Sequence, residues 1–350
     1  MSERLVKNTK NRQEKSSKMS TWFGQMKPAR IVQKAIDGLK NYMQENNTKE
    51  KKAEFLAIID KNFGRMTDIL YKRKEGDEAS SRALQLVTEI SHTDFVMLGL
   101  DAMPFLPVEQ RKQFTIIFTG AISHQTGSEF PLAIYVQRYP ETLDILLKFY
   151  DTPELAASTG EMLRLCAHHE TLAKQLLQPA RLDLLFTYFT VPHFDVSADS
   201  FATFRELILC SPNAEDYIKD NAQQITDRIH GTLDEKNYAA CRQSLKLIGE
   251  IIMTYPSYQQ FYLRNEKNLM TMMKLMSSQY KNLSMEAFHI FKLFVAIDDK
   301  PEPILKILRA NSEKLKVFIK GLLDGIEDAE LQREKDYLLM ELAYLKPESN

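Results

Sequence analysis

Three places in the chain carry the same run of small, apolar and polar positions. A small residue stands directly before a bulky apolar one, and apolar residues follow three and six places later. The runs are Ser200–Phe201 with Phe204 and Leu207, Ser244–Leu245 with Ile248 and Ile251, and Ala287–Phe288 with Phe291 and Phe294. This spacing places the apolar residues on one face of a helix. In "NYAACRQSLKLIGEII" (237–252), Leu245, Ile248 and Ile252, with Leu247 and Ile251, form the face to be buried. Arg242, Lys246, Gly249 and Glu250 fall together on the remaining side. The bulky anchors are 44 and 43 residues apart, and a weaker copy places Met162 39 residues before Phe201. The segment "EQRKQFTIIFTGAI" (109–122) is a candidate for one copy earlier still. Periods of about 40–47 residues with two or three helices each mark armadillo- and HEAT-like arrays. A single repeat cannot bury both sides of its helices, so stacking supplies the core and leaves an extended concave surface. The small residue lets neighbouring helices approach closely.

The punctuation between these segments agrees with an all-α fold. The chain has 12 Gly and 13 Pro, and the prolines sit mostly between apolar periodic segments. Thr152–Pro153–Glu154 reads as a helix start, with a cap, a proline in the first turn and an acid at the positive helix end. Ser211–Pro212 repeats the arrangement. Alternation of apolar and polar residues with period two is scarce. Residues 1–21 read as a flexible basic arm: the first 20 hold six Lys/Arg against two Glu, with no apolar core of a secretory signal. A single armadillo-like repeat domain is expected over 22–346, followed by a short tail, 347–350. Trp22 and Phe23, between the arm and the first amphipathic helix, are expected to staple the chain onto the first repeat; docking on a partner is the other reading.

Composition narrows the function. Hydrophobic residues make up 44% and charged residues 27% of 350, enough for a sizeable core. The net charge of −1 gives no reason to expect a nucleic-acid or membrane-surface binder. No run approaches the ~18 apolar residues of a membrane span. Cys166, Cys210 and Cys241 are too few, and odd in number, for a disulfide framework; reduced thiols acting as core filler are expected. Catalytic signatures are missing: no dinucleotide or triphosphate glycine loop, no G-x-S-x-G elbow, no calcium loop. In "AHHETLAKQ" (167–175), His169–Glu170 lacks the second histidine of H-E-x-x-H, and His168 and His169 read as polar helix-end residues. Carboxylate pairs such as Asp216/Asp220 and Glu327/Glu330 occur in charged, exposed contexts. No cofactor or metal is expected, and no catalysis.

Several long segments carry a family likeness: "DTPELAASTGEMLRLCAHHETLAK", "FDVSADSFATFREL", "NYAACRQSLKLIGEI", "NLMTMMKLM", "NLSMEAFHIFKLFVA" and "EKDYLLMELAYLK". Together they resemble the calcium-binding protein 39 (mouse-protein-25) scaffold family, over Trp22 to Lys346. The resemblance implies a right-handed superhelix of armadillo-like repeats without enzyme activity. It implies binding and allosteric activation of sterile-20-like (germinal-centre) protein kinases or pseudokinases through the concave face. A second pocket towards the C-terminal repeats takes a short Trp-Glu-Phe-type tail motif. In animals the pseudokinase then joins liver kinase B, and in fungi and protists related scaffolds serve polarity and cytokinesis.

Carried over by motif, the concave-face residues are Tyr238 and Arg242, with Lys246 one turn further. The tail pocket maps to Met273, beside Met270 and Met272, with Phe291 and Lys292 on the facing helix. Met270 stands where the family usually has Lys, the segment from Thr254 to Lys267 is shorter than usual, and Tyr255 lies near a position often occupied by Arg. A less basic tail pocket follows. On composition the Arg242–Lys246 stripe is a solvated face; its place on the helix that recurs in each repeat makes it a partner surface, with Arg242 expected to meet a kinase carboxylate. Of Met270, Met272, Met273 and Met276, helical spacing assigns most to the core, and Met273 is the one expected to be reachable. The protein is expected to be monomeric on its own and cytoplasmic, recruited by its partner to cytoskeletal or cortical sites, without binding nucleic acid or inserting in a membrane. A general helical-repeat peptide adaptor without a kinase partner is the alternative.

Overall fold

The computed structural model describes residues 26–71, 77–322 and 329–345, with helical backbone alone over 77–80. The expectations for residues 1–21, Trp22, Phe23, Glu327 and 347–350 lie outside the described residues. The chain divides into two compact units, Met1–Cys166 and Ala167–Asn350. The first carries α1 (Pro28–Tyr42), α2 (Lys49–Tyr71), α3 (Asp77–Ser91), α4 (Phe95–Ala102), α5 (Val108–Ile122), α6 (Pro131–Arg138), α7 (Glu141–Lys148) and α8 (Ala156–Ala167), whose last residue opens the second unit. The second carries α9 (Glu170–Leu176), α10 (Pro179–Thr187), α11 (Phe194–Leu209), α12 (Ala214–His230), α13 (Tyr238–Thr254), α14 (Pro256–Leu263), α15 (Glu266–Met276), α16 (Lys281–Ala296), α17 (Glu302–Gly321) and α18 (Ala329–Tyr344). Among the described residues there is no strand, only an isolated bridge between Thr126 and Glu129. The all-α expectation holds.

In the first unit, α1 starts on Pro28 and buries Ile31, Val32, Ala35, Ile36 and Leu39 against α2. Gly38 sits where the two helices come closest: a Cβ there would lie 3.0 Å from Ile59 Cγ1. The centre is aromatic. Phe63 of α2, Phe95 of α4 and Phe114 of α5 are all buried, with ring centroids 5.8–6.2 Å apart. Each such side chain contributes about 1.5–3 kcal/mol by leaving water. Gly99 on α4 makes room for this cluster, since a Cβ there would lie 2.0 Å from the Phe114 ring.

In the second unit the predicted recurrence is visible as packing. Helix α11 packs on α13, α13 on α16 and α16 on α18. Ser200, Ser244 and Ala287 are wholly buried, as are Phe204, Ile248, Ile251, Phe288, Phe291 and Phe294. Small side chains at these three positions give the next helix room to pack. Met162, the weaker copy in the first unit, is also buried in α8. Helix α18 lacks the small-before-bulky pattern, yet its buried Leu331, Leu338 and Leu342 continue the stack on α16.

Three local expectations are corrected. Thr152 makes no capping hydrogen bond; Pro153–Leu155 form a 3-10 turn and the α-helix begins at Ala156. Ser211–Pro212 lie in a turn before α12, whose capping position is Asn213, and the Ser211 hydroxyl is buried without a hydrogen-bond partner. Cys210 is exposed rather than core, because it ends α11 where the chain turns away from the packed face; Cys166 and Cys241 are buried as expected. Burial pushes the Cys166 thiol up to about 12 and Cys241 up to about 11, which keeps both as unreactive thiols.

Candidate partner-binding face

The outward stripe of α13 is set by its start. The Asn237 side chain accepts a hydrogen bond from the Ala240 backbone N–H and fixes the first turn. Every fourth residue from there falls on one side: Tyr238, Arg242, Lys246 and Glu250. Tyr238 is half-buried, its ring 5.3 Å from that of Tyr280. Asn282 Nδ2 donates to its phenol oxygen at 3.0 Å, so the phenolic hydrogen is left to donate elsewhere.

The recurring helices are joined by ion pairs. His168 Nε2 lies 2.7 Å from Glu206 Oε1 of α11. Arg205 of α11 makes two hydrogen bonds to Glu250 of α13, 2.7 and 3.1 Å long. Lys292 of α16 donates to Glu334 of α18, with His289 Nδ1 4.0 Å from the same carboxylate. Between α13 and α16 the rung has another form. Arg242 Nε is 3.5 Å and Lys246 Nζ 3.9 Å from one and the same oxygen, Glu286 Oε1. Both exceed hydrogen-bond length. Arg242 Nε is itself buried and makes no hydrogen bond within the protein, while the side chain as a whole is 39% exposed. Hydrogen bonding to Glu250 raises the proton affinity of Arg205 still further, so that rung is satisfied. Along α13 the acid is therefore occupied, and the two bases share a single half-buried carboxylate. What remains is a donor-rich stripe, phenol, guanidinium and ammonium, short of acceptors.

The methionine pocket is only partly as expected. On α15 the buried face is Leu269, Met272, Leu275 and Met276, which recur at helical spacing. Met272 is wholly buried and belongs to this core. Met270 is exposed, and Met273 is half-buried at the edge. Phe291 is likewise wholly buried, because it shares the core face of α16 with Phe288 and Phe294. Met272 and Phe291 thus support the surface from beneath and do not line a pocket. Lys292 opens elsewhere. With Leu293, Ala296, Glu334, Tyr337 and Leu338 it lines a groove of about 490 Å³ between α16 and α18, which no methionine of α15 lines. Tyr255 is buried, its hydroxyl donating to the Ile208 carbonyl at 2.8 Å, so it ties α13 to α11 and takes no part in a pocket.

The partners that complete the stripe, Arg205, Tyr280, Asn282, Glu286 and Glu334, escaped the sequence reading. The signal was the period itself: Tyr238 and Asn282 are 44 residues apart, and Arg205 and Glu250 are 45 apart. His168 turns to Glu206, and His169 precedes α9 without a capping side-chain bond. Among the described residues no group of three or more His, Cys, Asp or Glu is placed to hold a metal ion, and no helix is long and apolar enough to cross a membrane.

A stack of recurring helices with a periodic charged face and a buried, chemically quiet interior defines a helical-repeat protein of scaffold type. Residues 21–346 match the Mo25-like family, and the chain belongs to it. It is 31% identical to the human protein "Calcium-binding protein 39-like", over 91% of this chain and 95% of that one. It is 30% identical to a putative MO25-like protein of Arabidopsis thaliana, over 91% and 95%. With the Mo25-like protein of Schizosaccharomyces pombe the identity is 28%, over 87% and 92%.

Proposed function

We propose that the chain is a non-catalytic scaffold that binds sterile-20-like protein kinases or pseudokinases and favours their active-like state. The face formed by α11, α13, α16 and α18 receives the kinase domain, and the surface around Met270 and Met273 receives a tail peptide. The observation that carries this reading is the donor surplus on α13. Tyr238, Arg242 and Lys246 have one internal carboxylate between them. An acidic segment of a partner supplies the missing acceptors.

The mechanism is a shift of populations. The scaffold contributes no reacting group; it binds one conformer of the kinase more tightly than the other. Raising an active state from ~1% to ~99% requires a differential affinity of ~5.5 kcal/mol. A tethered tail peptide shares this load by raising the local concentration of the kinase domain at the α13 face. Activity in polarity or cytokinesis signalling in the cytoplasm goes with this reading.

The test is a double variant. Arg242→Ala with Met273→Ala is expected to leave the helical circular dichroism unchanged and to abolish stimulation of a sterile-20-like kinase. Full stimulation by the double variant overturns the site assignment. A pull-down dominated by non-kinase partners favours the general peptide adaptor instead.

A further inference from the structure

We infer that Glu286 is an internal stand-in for a partner's carboxylate, and that it is the residue that sets how strongly the α13 face selects acidic segments. This rests on the reading of that face as the partner-binding surface and goes further, by naming the group that must yield. The contrast between neighbouring rungs carries it. Glu250 holds Arg205 through two hydrogen bonds, and Lys292 is hydrogen-bonded to Glu334. Glu286, arriving from α16 near the start of that helix, holds neither of its two cations by a hydrogen bond. Both lean on its Oε1 at 3.5 and 3.9 Å, and Arg242 Nε stays buried and unpaired.

That geometry is suited to exchange. Arg242 loses no hydrogen bond to Glu286 when it turns to an incoming carboxylate, and it gains one. Glu286 is only 19% exposed while Arg242 and Lys246 are 39% and 46% exposed, so it occupies both cations and leaves them accessible. Arg242 and Lys246 are one helical turn apart, as are two carboxylates four residues apart on a partner helix. With Glu286 present, an acidic segment competes against a fixed internal charge. With it removed, both cations are available, and a half-exposed pair of this kind corresponds to a gain of up to ~5-fold.

The experiment titrates the full chain by calorimetry with a helical peptide carrying glutamates four residues apart, and with the same peptide carrying glutamines. Glu286→Gln is expected to bind the acidic peptide up to ~5-fold more tightly than wild type. The glutamine peptide shows no gain, and the gain disappears when Arg242→Ala is added. Glu286→Asp, which keeps the charge on a shorter stem, shows a smaller gain and controls for packing. Unchanged or weaker binding by Glu286→Gln, an equal gain for the glutamine peptide, or no binding of the acidic peptide by this variant overturns the inference. Failure to bind a sterile-20-like kinase domain is a separate result: it removes the kinase reading and leaves the peptide comparison standing.

Discussion

The two compact units solve the same stacking problem with different spacings. In the second, side-chain bonds between the recurring helices join residues at separations within a narrow range: 45 for Arg205–Glu250, 44 for Tyr238–Asn282, 42 for Lys292–Glu334 and 38 for His168–Glu206. In the first, comparable long-range bonds spread more widely: 39 for Arg65–Met26, 45 for Tyr71–Ile116 and Thr142–Met97, 50 for Gln110–Asp60, 53 for Gln113–Asp60, 56 for Arg82–Met26 and 63 for Tyr42–Phe105. Its centre is an aromatic cluster fitted around Gly99. Periodic contacts spread cohesion over many similar interfaces, whereas a cluster concentrates it in a few side chains. Loss of one tie in the second unit is therefore expected to cost less than loss of one ring in the first.

The sharpest way to break this comparison is Phe114→Ala. The ring is buried between Phe63 and Phe95, so its removal is expected to cost ~3–5 kcal/mol, with loss of hydrogen-exchange protection confined to residues 26–166. Protection lost equally in both units would show that the cluster is not local to the first. A smaller effect is expected from Ala287→Leu, which forces extra bulk into a closely packed helix face of the second unit. Overpacking there costs ~1–3 kcal/mol, read as a lowered denaturation midpoint with unchanged helix content. No change would mean that the small residue is incidental to the stacking. The smallest effect belongs to Arg205→Ala. Its pair with Glu250 is about half exposed, so the loss is expected to be ~0–1 kcal/mol and to shrink as salt is added. A loss as large as that of Phe114→Ala would reverse the contrast.

The same difference explains what was readable in the chain. A period becomes visible where each helix meets its successor through equivalent positions, as Ser200, Ser244 and Ala287 do. In the first unit Phe63, Phe95 and Phe114 meet from unequal distances along the chain, and no spacing rule picks them out. The outward stripe of α13 was legible because Leu245, Ile248 and Ile252 define its opposite face. The methionine surface was legible only in part. A one-residue step on a helix turns a side chain by about 100°, enough to separate buried Met272 from half-buried Met273. Glu286 was hidden for another reason: it matters through a helix about 44 residues away, and a motif read within one helix does not contain it. Thr152 and Ser211 carry the right chemistry for caps, but the chain spends those residues on turns ahead of the helix.

Because the buried anchors Phe201, Leu245 and Phe288 of the second unit recur at intervals of 44 and 43 residues, the array carries its own rule for growth. A copied α13 segment, inserted between two recurring helices, brings Ser244 and the apolar positions Leu245, Ile248 and Ile251 back to the packed face, so the core continues through it. Lengthening by a whole interval keeps the buried face in step, although the ion pairs, which use different positions on each helix, do not all repeat. An insertion of a few residues inside a recurring helix instead misaligns the buried face downstream within that helix. The molecule can thus be extended like a ruler, by whole divisions and not by fractions of one.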